Sequence, residues 1–528
     1  MQFKKANLVT TFTFAIGVAL IFLSFRIDYK APFQTVKVEG GLISGTTNSE
    51  SDVHIFKGIP FAAPPVGNLR WKEPQPVIPW NGVKRCVAFG SSPVQNSPSP
   101  FGPWSEEYLI PKEPISEDCL YLNVWTGTKS SKEKRPVLIW IYGGGFVSGG
   151  TAVPVYDGEA MAKKGIIFVS VNYRVGVFGF FALPELTKES ANNVSGNYAL
   201  LDQIAAIKWV KKNIAAFGGD PDNITIAGQS AGSMSVNCLV TSPLCKGLFK
   251  HAIGESGAEV VESPGRNMPT LQQAEEKGTK YEQSLNVSSL EALKKIPAEE
   301  LLKTQWSLSS PIIDGYLLPK SIPDIFAAGE ENNVDLLTGW NEDDGLVFGK
   351  LDNAEEFKKH AEQKYGADAE KFLYFYPANN DEEADVSQHK LSRDMMFGIQ
   401  NYTWANLQSK TGKSKVYLYR FARKLPATGD YIKYGAFHTG EVAYAYDNLS
   451  FVHRCPWQPA DYALKKTMSS FWINFIKTGN PNAKNLPEWS EYNRENNSTM
   501  IFNETSKVEQ LPGKNCLDFL IKEIKKNN

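Results

Sequence analysis

The chain carries no surplus of positive charge. Its 528 residues hold 56 Lys and Arg against 57 Asp and Glu, a net charge of −1. No basic field is available to hold nucleic acid, and that class of partner is excluded. Cysteine and histidine are scarce, six of each. No cysteine stands in a C-x-x-C or zinc-like spacing, so neither a metal site nor a cofactor is expected. Internal repeats and low-complexity tracts are missing, as is any clear linker, so a single catalytic domain is expected over residues 31–528.

Long apolar runs are missing too, with one exception. Lys4 and Lys5 precede an uncharged stretch from Leu8 to Phe25, which Arg26 closes. This layout makes residues 1–30 a secretory signal peptide or, if uncleaved, an N-terminal membrane anchor, because about 18 apolar residues just span a bilayer. No A-x-A-like cleavage site and no lipobox cysteine follow. The protein is expected to be exported, periplasmic or secreted, with membrane contact only if this segment is kept. An even cysteine count in an exported chain permits disulfides. Cys86 with Cys119 is the preferred pair, and Cys238 with Cys245 is a candidate short loop.

What is present is an ordinary globular balance, 42% hydrophobic and 21% charged, enough to bury a large core. Residues 36–53 alternate as a hairpin turning at Gly40 and Gly41. Phe56 to Pro76, rich in Pro and Gly, reads as an ordered loop. Pro136 to Tyr142, Gly165 to Asn172 and Ile224 to Gly228 are continuous apolar runs of strand length, and Val334 to Thr338 and Val416 to Phe421 are further strand-like runs. Continuous rather than alternating strands imply burial on both faces, as in a parallel sheet flanked by helices. Helical spacing over Tyr198 to Ala216 separates two of them, the βαβ pattern of an α/β fold. Ala274 to Ser307, Met468 to Lys477 and Cys516 to Ile524 also read as helical.

Gly228-Gln229-Ser230-Ala231-Gly232 is a G-x-S-x-G motif set between a strand and a helical stretch. A sharp strand-to-helix turn brings the residues two before and two after the serine so close that side chains there would clash. The turn lifts the Ser230 hydroxyl out at the carboxyl end of the sheet, as a nucleophile requires. Tyr142-Gly143-Gly144-Gly145-Phe146 directly follows another strand. Consecutive glycines let N–H groups face a ligand, and an oxyanion needs such donors. The expected donors are the N–H groups of Gly144, Gly145 and Ala231.

Several further segments carry a resemblance. Ser116 to Trp125 (SEDCLYLNVW), the YGGGF run, Asn172-Tyr-Arg-Val-Gly, Gly196 to Gln203 (GNYALLDQ) and Phe217 to Thr225 (FGGDPDNIT) are similar to the type-B carboxylesterases. That family includes para-nitrobenzyl esterases, animal carboxylesterases and cholinesterases. The likeness runs from about Val36 to the C-terminus and is stronger to bacterial members. It implies an α/β-hydrolase fold and serine-dependent hydrolysis of small carboxylic esters, in the order nucleophile, acid, histidine. His438, in Gly435-Ala-Phe-His-Thr-Gly-Glu, is similar to the family's histidine loop. Of the other five, His54 precedes Ser230, His251 closely follows it in a strand-like stretch, and His453, beside Cys455, is the main rival, read as a surface or packing residue. The acid belongs in the turn Asn341-Glu342-Asp343-Asp344-Gly345. The family pattern aligns it with Asp344, where most relatives carry glutamate, and leaves Glu342 and Asp343 as solvated loop charges. Ser256 and Glu441 match supporting positions behind the histidine. Gln229 replaces the glutamate that cholinesterases place before the nucleophile, which favours a general carboxylesterase. Retention of Ser230, Asp344, His438 and the glycine loop argues against the family's non-catalytic adhesion proteins.

Overall fold

The structure is a computed structural model that describes residues 35–262, 267–347, 349–410 and 413–527. The leader expected over residues 1–30 lies outside the described residues. Among those residues no helix is long and apolar enough to cross a membrane.

In chain order the strands are β1 (Thr35–Val38), β2 (Gly41–Ser44), β3 (Thr46–Thr47), β4 (His54–Pro60), β5 (Val83–Arg85), β6 (Tyr121–Thr126), β7 (Arg135–Ile141), β8 (Ile167–Val171), β9 (Gly219–Gln229), β10 (His251–Glu255), β11 (Asp335–Asn341), β12 (Val416–Phe421), β13 (Ser498–Phe502) and β14 (Lys507–Gln510). β1, β2 and β5 make a small separate sheet. The others make one eleven-stranded sheet in the order β14-β13-β12-β11-β10-β9-β7-β8-β6-β4-β3. The block from β8 to β13 is parallel throughout, and the pairs at both margins are antiparallel.

The apolar runs explain this layout. Every residue of β8 and of Val137–Ile141 in β7 is buried, so both faces of the sheet are covered. The helices Tyr198–Asn213, Ala231–Thr241, Ile399–Lys410 and Pro459–Thr478 pack on it. The chain winds from β7 outward to β8, then crosses back to β9 on the other side of β7. Loops leaving the carboxyl ends of β7 and β9 therefore meet at a switch point, the usual ligand crevice of such sheets. Register fixes the meeting, since Ile141 pairs with Gly228.

One expectation is corrected. The stretch Phe56 to Pro76 does not begin as a loop, because Phe56–Pro60 belongs to β4. Its register against β6 shifts between Phe56 and Ile59, and the Gly58 N–H turns to the Asn123 side chain at 2.9 Å. This irregularity erases the alternation that marks a strand in sequence.

The family-like segments around Arg174 and Asp202 have a structural task. Arg174 donates to Asp202 through Nε at 2.8 Å and Nη2 at 2.7 Å, with both side chains buried. This bidentate pair ties the segment after β8 to the helix Tyr198–Asn213.

Candidate active site

β9 ends at Gln229 and a helix starts at Ala231, leaving Ser230 alone at the corner with φ 58° and ψ −125°. A non-glycine residue there is strained by about 1–3 kcal/mol. Two features hold it. The Ser230 N–H donates to the Glu255 carbonyl at 2.8 Å. The flanking glycines allow a close crossing: a Cβ on Gly228 would lie 2.4 Å from the Gly232 carbonyl carbon, and one on Gly232 would lie 2.1 Å from the Ile141 oxygen.

Asp344 follows β11 and is wholly buried. Its Oδ2 accepts from the Asn341 N–H at 2.8 Å and from Ser256 Oγ at 2.8 Å. Its Oδ1 lies 2.8 Å from His438 Nδ1. A carboxylate only accepts, so Nδ1 carries the ring proton and Nε2 presents its lone pair. Ser230 Oγ makes no hydrogen bond to the ring in this state. The imidazole is 3% exposed, stacked on Phe397 at 4.5 Å and met edge-on by Trp104 at 6.2 Å.

Glu342 and Asp343 are solvent-accessible turn charges, as expected, and each also has partners in the fold. Glu342 pairs with Arg393 at 2.6 Å and Arg420 at 2.9 Å. Asp343 accepts from the Ala436 N–H at 2.8 Å and donates its own N–H to the Ala436 carbonyl at 3.1 Å. The acid turn is thereby laced to the histidine loop. The other histidines lie elsewhere: His251 opens β10 beside Asp335, and His453 is exposed.

The loop after β7 faces the serine. A Cβ on Gly143 would stand 2.6 Å from the Gln229 carbonyl oxygen and 2.9 Å from Ser230 Cβ, so the main chain itself approaches Ser230. The N–H groups of Gly144, Gly145 and Ala231 have no partner among the described residues. They are free to bind an oxyanion.

Behind Asp344 and His438 lies a buried acid pair. Ser256 reaches Asp344, but Glu441 reaches Asn341 Nδ2 rather than the ring. Glu255, which sequence reasoning left without a role, is fully buried and accepts from Trp472 Nε1 at 2.7 Å and Tyr446 Oη at 3.1 Å. Burial pushes its carboxyl up to about 8. Glu441 is also raised well above the usual range, first by burial and then by the charges of Glu255 and Asp344. Trp104 and Phe397 were missed as well, since neither sits in a motif.

All six cysteines are buried free thiols, so the expected Cys86–Cys119 bond is not formed, and neither is Cys238–Cys245. Cys86 follows β5 and donates its N–H to the Ser44 carbonyl in the small sheet. Cys119 sits instead within the field of Arg174 and Asp202. Burial raises both thiols, Cys86 to about 11, which suppresses the thiolate needed for exchange. Among the described residues no group of three or more His, Cys, Asp or Glu side chains is placed to hold a metal ion.

Comparison with known proteins agrees with this geometry. Residues 32–520 match the model of the carboxylesterase family. The chain is 35% identical to fumonisin B1 esterase of Sphingopyxis macrogoltabida, over 91% of this chain and 88% of that one. It is 36% identical to para-nitrobenzyl esterase of Bacillus subtilis (strain 168), over 91% and 96%, and 32% identical to acetylcholinesterase of Leptinotarsa decemlineata, over 90% and 83%. A solved PNB esterase superposes with a TM-score of 0.79 at 32% identity, covering 93% of this chain and 99% of that one. A thermophilic PNB esterase gives 0.78 at 34% identity, covering 92% and 100%. The chain belongs to the carboxylesterase family and is a carboxylic ester hydrolase of the α/β-hydrolase fold.

Proposed function

We propose that Ser230 is the nucleophile of this hydrolase, His438 its general base and acid, and Asp344 the group that orients the imidazole. Ser230 Oγ attacks the ester carbonyl carbon while its proton passes to His438 Nε2. The carbonyl oxygen becomes an oxyanion held by the N–H groups of Gly144, Gly145 and Ala231. Collapse of this intermediate breaks the bond to the alcohol, which leaves with the proton from Nε2. Water then attacks the acyl-enzyme by the same route and releases the acid. The Ser230 hydroxyl turns toward Nε2 as substrate enters, a tightening common to such sites.

The observation that carries this reading is the 2.8 Å contact between His438 Nδ1 and Asp344 Oδ1. It puts the ring proton on Nδ1 and so makes Nε2 the basic nitrogen, within a site where a strained serine and three unpaired N–H groups converge. Gln229 places no charge beside the nucleophile, which favours esters of uncharged alcohols over choline esters. The apolar run of residues 8–25 favours export, with that segment either cleaved or kept as an anchor.

Replacing Ser230 by alanine tests the assignment. Hydrolysis of p-nitrophenyl acetate should fall by at least about a thousandfold with the folded state intact. Near-normal turnover by the variant would reject Ser230 as nucleophile.

A further inference from the structure

The two ring nitrogens of His438 have an unusual common neighbour. The Gln229 carboxamide nitrogen lies 3.2 Å from Nε2 and 3.4 Å from Nδ1. A donor in line with the Nε2 lone pair would lie much farther from Nδ1 than from Nε2. Near-equal distances place the amide over the ring face instead. Phe397, stacked on the imidazole at 4.5 Å with 17° between the planes, covers one face and leaves the amide the other.

The amide is itself held. Gln229 is 2% exposed. Its Oε1 faces Thr439 Oγ1 at 3.5 Å, and Thr439 Oγ1 accepts from the Trp104 indole N–H at 3.1 Å. This orientation puts the N–H end, the positive end of the amide dipole, over the ring. Such an end opposes a positive charge on the imidazole and is well matched to the neutral ring's π face.

We propose that Gln229 is a positioning residue that clamps the His438 ring against Phe397 and sets its N–H end against a positive charge on that ring. The inference rests on the assignment of His438 as the base. The groups facing the ring are few. Asp344 is bonded to Nδ1, and Phe397, Trp104 and Gln229 are neutral. Glu441 and Glu255 lie behind Asp344, Asp343 is bonded to Ala436, and Glu342 is neutralised by Arg393 and Arg420. Asp344 is thus the charge in direct contact, and a second negative charge at position 229 has a strong lever on the ring.

The test compares wild type with Gln229→Glu and with Gln229→Met, which preserves volume but removes the N–H. The pH at which kcat/KM for p-nitrophenyl acetate is half lost on acidification should rise by about one pH unit or more in Gln229→Glu. It should rise by a smaller amount in Gln229→Met. The ring's own proton uptake, followed by NMR of 15N-histidine-labelled protein in a Ser230→Ala background, should move in the same order. This second arm needs no turnover. Coincident midpoints for wild type and both variants, or a downward move in Gln229→Glu, would overturn the proposal. If the labelled ring moves as expected while the Ser230→Ala enzyme retains normal turnover, the clamp stands and the catalytic assignment falls. If the Gln229→Glu protein does not fold, Gln229→Met alone decides: an unmoved ring titration there rejects the clamp.

Discussion

The backbone carbonyl of Glu255 accepts the N–H of Ser230 at 2.8 Å. The residue that fixes the strained Ser230 therefore also carries a wholly buried carboxyl. That carboxyl has two donors, Trp472 and Tyr446, both on Oε1. Among the described residues its Oε2 has no hydrogen-bond partner, and neither has Oε1 of Glu441. No cation among the described residues is bonded to either acid, and burial disfavours the charged form of both.

This has a consequence for stability. The Glu255 carboxyl stands at about 8 in the folded protein, against roughly 4.3 for an unfolded glutamate. A raised value means that the folded state binds the proton more tightly between these limits. The contribution is whole below the unfolded value and is lost as pH rises toward 8, with a slope of at most about 1.4 kcal/mol per pH unit for one proton. Glu441 acts in the same sense. Glu255→Gln keeps an acceptor for Trp472 and Tyr446 but removes the titration. Its melting temperature should decline less between pH 5.5 and 9 than that of wild type. Parallel melting curves across that range would show that Glu255 does not titrate there.

Ser256 supplies a second prediction. Its hydroxyl donates to Asp344 Oδ2 at 2.8 Å, from a backbone held at φ 53°. A hydrogen bond to a charged group is worth about 1.5–3 kcal/mol, and Oδ2 keeps one other donor, the Asn341 N–H. Ser256→Ala should therefore lower kcat by about tenfold, with KM nearly unchanged, because the hydroxyl steadies the acid and not the substrate. Steady-state kinetics on a single p-nitrophenyl ester would settle this. An unchanged kcat would mean that Asp344 needs only its backbone donor.

Much of this arrangement was legible in the sequence, for physical reasons. Parallel strands buried on both faces are predominantly apolar, so β7, β8 and β12 stood out. The G-x-S-x-G motif could be read because a clash between residues 228 and 232 admits only glycine. What escaped were contacts made across the fold. Phe397 sits in a short π-helical turn, Asp394–Gly398, with nothing local to separate it from a core aromatic. Trp104 comes to His438 from a loop 334 residues earlier in the chain. Glu342 and Asp343 are solvent-accessible as a charge in a turn usually is, but only the folded chain brings up Arg393, Arg420 and the Ala436 N–H to meet them. The cysteine expectation failed on the same ground: an even count says nothing of which thiols become neighbours.

The Arg174–Asp202 pair yields the last prediction. This bond joins two of the family-like segments and touches none of Ser230, Asp344 and His438. Both groups are at most 3% exposed, and burial alone would disfavour each charge. Removing one partner strands the other, at a cost of about 3–5 kcal/mol, whereas replacing both by apolar residues of similar size is often close to neutral. Arg174→Met should therefore lower the thermal and urea unfolding midpoints sharply. The double variant Arg174→Met, Asp202→Leu should recover most of that loss. At a temperature where both are folded, kcat should stay near wild type, since neither side chain touches Ser230, Asp344 or His438. A double variant as unstable as the single would show that the pair is worth its full charge interaction to the fold. A collapse of kcat in a folded protein would instead tie it to the chemistry.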